Sequence, residues 1–229
     1  MLLSIDYCYK FVLDLMNKNQ AGSMGNEKFE RFWDDESSSY QDDMLGRFQA
    51  RNNGKTGSNT GLIEDETILQ KLSPFTKNSV ITIISANANK PADFVYRLGL
   101  RINGVDAFKI NHGQIANVNS SVIDTPSTTT DTYYFVEYED YYYLLPRTLP
   151  TASITTISLD YISTPKSVKW GFTYDDDGRQ VYNAGTSIQP EWDRNSCREI
   201  CKRVLKNVGV SFKDSDFSNF GNNTVITGE

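Results

Sequence analysis

Residues 133–146 read YYFVEYEDYYYLLP, seven aromatics in fourteen positions, broken only at Glu139-Asp140. A stretch this dense is either a ligand platform, for stacking sugars or bases, or two strands folded on each other. Split at Glu139-Asp140, it makes a hairpin whose first strand alternates Tyr133, Phe135 and Glu137 with Tyr134, Val136 and Tyr138. The return strand alternates Tyr141, Tyr143 and Leu145 with Tyr142, Leu144 and Pro146. Both faces are apolar or aromatic, whereas a sheet with one wet face alternates more cleanly. One face is therefore expected in the core, and the other against a second sheet or another subunit. An exposed aromatic patch of that size would be unusual on a monomer. Tyr134, Tyr138, Tyr141 and Tyr143 are the candidate contact residues on this hairpin.

Composition bounds what surrounds it. At 229 residues the chain suffices for one substantial domain or two small ones. An aromatic share of 12% opposes a disordered chain. The net charge of −6 does not suit gripping phosphate backbones by counterion release. No run approaches eighteen apolar residues, so no membrane span is expected. The opening MLLSIDYCYKFVLDLMNK lacks a basic leader region and a small-residue cleavage site, and reads as a structural helix. Cys8, Cys197 and Cys201 are odd in number and follow no disulfide framework, which suits a reducing cytoplasm.

Upstream of the hairpin, Ile5, Cys8, Val12, Leu15 and Met16 follow one helical face. Asn26 is a candidate cap for a longer helix burying Phe29, Phe32, Trp33, Tyr40, Met44 and Phe48. RNNGKTGSNTG at 51–61 reads as a mobile loop, followed by a third helix over about 62–72. Then come short β-branched and aromatic runs: VITII, FVYRLGL, VDAFKI, the hairpin itself, and SITTISLDYI. Asn103-Gly104 and Asp177-Gly178 are turn signals. Helical period returns after Asp193, a candidate N-cap, with Cys197, Ile200, Cys201, Val204, Leu205 and Val208 on one face and Gly209 as the expected αL cap.

The expected fold class is α+β. A small bundle of N-terminal helices (1–75) and a returning C-terminal helix (193–213) would carry an inserted antiparallel β domain (76–174), sandwich or barrel-like, with a hairpin or linker at 175–192 and an extended tail at 214–229.

Chemistry-bearing patterns are thin. Cys197 and Cys201 lie one helical turn apart, but both fall on the apolar face. With one histidine, His112, and a distant Cys8 they do not complete a zinc site, so no metal or cofactor is expected. Asp175-Asp176-Asp177-Gly178 lacks the alternate spacing and closing Glu of a calcium loop and reads as a hairpin tip. Asp34-Asp35-Glu36 reads as the solvated side of a long helix. Phosphate loops, dinucleotide fingerprints and nucleophile elbows are not found, so the chain is read as a non-enzyme. Arg194, Arg198, Lys202 and Lys206 recur every fourth residue, a solvated edge or a docking edge, and the first three join the candidate contacts.

Several phrases occur together in a fixed order: FVLDLMNK with EKFERFWDDE, LSPF at 72–75, PADFVYRLGLRING at 91–104, NSSVIDTP at 119–126, ISLDYISTPKSVKWGF at 157–172, and PEW followed by VGVSFKD at 208–214. Together they span about 5–217 and resemble the head-to-tail connector ring proteins of crAss-like and related Bacteroidota tailed phages. The chain departs from that pattern at NHGQIANV (111–118) and in the enlarged 51–61 loop. The resemblance implies a virion protein assembled in the host cytoplasm. It implies a dodecameric ring of identical copies beneath the portal protein, carrying a neighbouring ring or tail protein and extending a channel through which genome DNA passes without sequence-specific binding. A ring closes by head-to-tail contacts between two different surfaces, and the hairpin offers one of them. The alternative expectation is a virion receptor or glycan-binding component using the aromatic hairpin. A cell-wall hydrolase would need a carboxylate pair or triad that the sequence does not display.

Overall fold

The computed structural model describes residues 3–18, 23–52, 61–84, 87–121, 126–127, 131–145 and 156–211. The expected loop lies mostly outside these residues, as does the tail at 214–229. The chain is α+β and divides into two compact units, one of residues 1–74 and 165–229 and one of residues 75–164.

In the first unit, α1 (Ile5–Lys18), α2 (Asn26–Asn52) and α3 (Gly61–Leu72) are joined by the last helix, α5 (Arg194–Ser211), which packs on α1 and α2. Ile5, Cys8, Val12 and Met16 of α1 are fully buried, with Leu15 half-buried at the margin. In α2 the buried stripe is Phe29, Trp33, Ser37, Tyr40, Gln41, Met44 and Leu45, while Phe32 and Phe48 sit half-buried on its flank. The interior Ser37 is satisfied by the Trp192 indole, which donates to its Oγ at 2.7 Å. Asn26 is the first helical residue of α2, not its cap; the Gly25 carbonyl accepts the amide of Phe29.

Asp193 caps α5, its carboxylate accepting the amides of Asn195 (3.0 Å) and Ser196 (3.3 Å). Gly209 does not end this helix. It lies inside α5 without a positive φ, and burial of Val208 in the last turns offsets the roughly 1 kcal/mol that an interior glycine costs.

The first unit also holds β10 (Phe172–Tyr174) and β11 (Gln180–Tyr182), an antiparallel pair. The β domain therefore ends at 164 and not at the expected 174, because segment 165–172 is bonded to α1 and α2. Val168 donates its amide to Asp34 (3.0 Å), and Trp170 donates its amide to Glu30 (2.7 Å) and its indole to Asp6 (3.1 Å). Gly171 sits so tightly that a Cβ there would lie 2.6 Å from the Thr186 carbonyl carbon and 2.8 Å from the Ser187 amide nitrogen.

The second unit has two sheets. One orders β1 (Thr76–Val80), β9 (Ile157–Ser163), β4 (Phe94–Ile102) and β5 (Val105–Asp106), all antiparallel. Asn103 (φ 52°) and Gly104 (φ 84°) make the two-residue β4–β5 turn with both positions left-handed, as that dipeptide allows. The register of β4 on β9 slips between Phe94 and Tyr96 and again between Arg97 and Gly99.

The other sheet orders β2 (Ile83–Ile84), β3 (Asn87–Asn89), β8 (Tyr141–Leu145), β7 (Tyr134–Glu137) and β6 (Phe108–Lys109). Its β6–β7 pair is parallel, a correction to the all-antiparallel expectation. A parallel neighbour requires a crossover of about a dozen residues or more. Residues 110–133 supply it, and they contain the short helix α4 (Ile115–Ser120). No barrel closes among the described residues, but both sheets feed one core of Leu100, Ile102, Ile157, Leu159 and Tyr161 from the first sheet and Ala88, Phe135, Tyr142 and Leu144 from the second.

Candidate contact surfaces

The hairpin of β7 and β8 pairs Tyr134 with Leu145, Phe135 with Leu144, Val136 with Tyr143 and Glu137 with Tyr142. Its two faces differ. Tyr133, Phe135, Tyr142 and Leu144 are at most 1% exposed and belong to the core shared by the two sheets. Phe135 meets Tyr142 edge-on at 5.6 Å, and the Arg97 guanidinium lies 4.7 Å from the Phe135 ring centroid.

On the opposite face Val136 and Leu145 are buried with Ile110, and Tyr134, Tyr138 and Tyr143 pack half-buried against them together with Ile115 and Val118. The cover on this face comes in part from the chain itself, through α4. Tyr138 and Tyr141 stack at 4.8 Å, and the Tyr138 hydroxyl shares a 2.9 Å hydrogen bond with His112 Nδ1. All four candidate tyrosines thus lie on one surface, none fully exposed and none fully buried.

At the sheet end the Glu137 carboxylate is ringed by Lys109 (2.7 Å), Lys90 (3.4 Å) and Arg97 (3.7 Å). Burial alone would raise its pKa; the Lys109 hydrogen bond and the charges of Lys109, Lys90 and Arg97 outweigh that and hold it below the ordinary glutamate range. Beside it, Arg97 Nε and the Tyr142 hydroxyl are buried without a hydrogen-bond partner among the described residues. Burial, and secondarily the Glu137 charge, pushes the Tyr142 hydroxyl well up.

The basic edge of α5 resolves differently. Arg198 and Lys202 line a cleft of about 620 Å³ in the first unit, whereas Arg194 and Lys206 do not. Three further cations join them there: Arg47 from α2, Lys71 from α3 and Arg203 from α5. No sequence spacing connects these, because they come from three helices that only packing brings together. Among the described residues Glu199 is the one carboxylate on the lining, 3.7 Å from Lys202. Arg203 pairs with Asp43 at 2.7 Å and lies 5.1 Å from the Tyr40 ring centroid, yet its buried Nε has no partner among the described residues. Arg47 and Arg198 are exposed.

The remaining candidates resolve as structure. Cys8 is not distant from the other thiols. It contacts Cys197 where α1 meets α5, and that contact, followed by burial, pushes the Cys197 thiol far up. All three cysteines are free and buried. Among the described residues no group of three or more His, Cys, Asp or Glu could hold a metal ion, and no helix is long and apolar enough to cross a membrane.

The Asp175 carboxylate accepts the amides of Asp177 (3.1 Å) and Arg179 (2.7 Å), and Gly178 takes φ 75°, which makes 175–179 a self-capped turn. The expected solvated face at Asp34-Asp35-Glu36 is corrected: only Asp35 is exposed, while Asp34 accepts from Val168 and Glu36 from the Asn207 side chain at 2.5 Å. Those partners are more than a hundred residues away in sequence, beyond any local pattern. No protein-family model matches the chain, and no curated protein matches it either.

Proposed function

We propose that the chain is a virion structural protein that forms a homo-oligomeric ring in the portal-proximal head-to-tail connector. There it extends the DNA channel and docks the next tail component. The observation that carries this reading is the outer hairpin face: four half-buried tyrosines, three of them packed with Ile115 and Val118 of α4 around Val136 and Leu145, an aromatic surface suited to an identical neighbour. The ordered run of motifs resembling connector proteins supports it. So does the net charge of −6, which, repeated around an axis, repels sliding DNA within a Debye length. The virion location and the portal and tail partners belong to the same proposal.

Low-resolution imaging of particles tests it. Density for the chain as a ring at the portal vertex supports the proposal, and its absence from particles overturns it.

A second reading, a glycan-binding virion component, rests on the Tyr138–Tyr141 stack beside exposed Glu139 and Asp140 at the hairpin tip. It is less favoured because each of those two rings already covers a face of the other. Density at fibre tips, with glycan binding lost in the Tyr141→Ala/Tyr143→Ala chain, would select it over the ring.

A further inference from the structure

Around Glu137, charge and hydrogen bonding are both out of balance. Three cations share its carboxylate, and the one short contact, 2.7 Å, goes to Lys109, whose side chain is 50% exposed. Lys90 (11% exposed) and Arg97 (22% exposed) are left at 3.4 and 3.7 Å, longer than the roughly 2.7–2.9 Å of a charge-assisted hydrogen bond. The more sheltered cations are therefore the less neutralised ones. Three positive charges against one negative leave an excess of two, which is costly away from water unless an anion balances it.

The donors point the same way. Arg97 Nε and the Tyr142 hydroxyl are buried with no hydrogen-bond partner among the described residues, and Tyr142 as a whole is fully buried. Burial keeps that hydroxyl protonated, so it can donate, and the charges of Glu137 and Arg97 both act on it, which brings the three groups together. Lys90 Nζ lies 5.1 Å from the Tyr142 ring centroid. Arg97 comes from β4 in the first sheet of this unit, where the register slips between Arg97 and Gly99, a bulge of the kind that re-aims a side chain. Tyr142 comes from β8 in the second sheet. Arginine and lysine donate and never accept. A water among these groups would need acceptors for its own hydrogens, and the neighbouring carboxylate already serves three cations. An ion that only accepts satisfies every one of them.

We propose that Arg97, Tyr142 and Lys90 form a binding site for one small monovalent anion of the chloride class, with donors drawn from both sheets of the second unit. Glu137 beside it repels what the cations attract, which holds the site to a single charge and to modest affinity. The site does not depend on the ring proposal and forms equally in a single copy.

Melting the full chain in sodium gluconate and in sodium chloride at equal ionic strength tests it, with chloride binding read directly by chlorine NMR line broadening. The thermal midpoint should rise with chloride and saturate, bromide should replace chloride, and sulfate should not. Tyr142→Phe keeps the ring and should fold at least as well in gluconate, yet bind chloride about tenfold more weakly for want of one hydrogen bond to a charged group. Glu137→Gln should bind chloride more tightly than the native chain, the reverse of what a merely structural loss would produce. Three results would overturn the proposal: a midpoint indifferent to chloride, which assigns the donors to bound water only; equal chloride binding by the native and Tyr142→Phe chains, which means an adventitious ion only; or weaker chloride binding in Glu137→Gln.

Discussion

The two faces of one hairpin carry nearly the same residues and reach different fates. Tyr133, Phe135, Tyr142 and Leu144 are sealed between two sheets, while Tyr134, Tyr138, Tyr141 and Tyr143 stop half-buried on a face to which a six-residue helix adds only Ile115 and Val118. Aromatic density alone therefore does not say which side is core. The side that meets a full second sheet becomes core, and the side that meets only a crossover remains available. Folding should depend on the first face and the proposed ring assembly on the second, and single substitutions can separate the two.

The largest effect is expected at Phe135→Ala. Removing a fully buried ring that also supports Tyr142 and Arg97 should cost about 3–5 kcal/mol in urea denaturation. A loss below about 1 kcal/mol would erase the distinction between the faces.

Next comes Glu137→Gln, which strands Lys90, Lys109 and Arg97 around a neutral amide and should cost roughly 2 kcal/mol. The same group sets a pH dependence. Its carboxyl titrates lower in the folded than in the unfolded chain, so its contribution is fully present above the ordinary value of 4.5 and is lost as pH falls through the depressed folded value. Acid titration of the Glu137→Gln chain should lack that loss, and an identical acid profile in both chains would refute the assignment.

On the outer face, Tyr143→Ala should cost only about 1 kcal/mol of stability, because the ring is half-exposed, yet should abolish the proposed self-association when both chains are compared by sedimentation. A large stability loss with intact association would invert the comparison. The smallest effect is a gain: Tyr142→Phe removes a buried hydroxyl that has no partner among the described residues and should stabilise the chain by about 0.5–1 kcal/mol.

Local signals were the ones legible in sequence. Asn103-Gly104 specified a left-handed two-residue turn, Asp193 specified a cap, and the alternation around Glu139-Asp140 separated the hairpin faces correctly. What sequence could not show depends on partners far along the chain. The parallel β6–β7 pair rests on two-residue strands too short for any period to register. Gly209 looked like a helix end because propensity favours it there, but tertiary burial carried α5 onward to Ser211. Asp34 and Glu36 looked solvated because their acceptor roles are set by Val168 and Asn207. On the basic edge, Arg198 and Lys202 were visible as a stripe, whereas Arg47, Lys71 and Arg203 joined them only through helix packing.

Hydroxyl-radical footprinting of the four outer tyrosines, in intact particles and in the free purified chain, tests the division of labour most directly. Strong protection of Tyr134, Tyr138, Tyr141 and Tyr143 in particles relative to the free chain is the predicted result. Equal reactivity of all four rings in both states would contradict it.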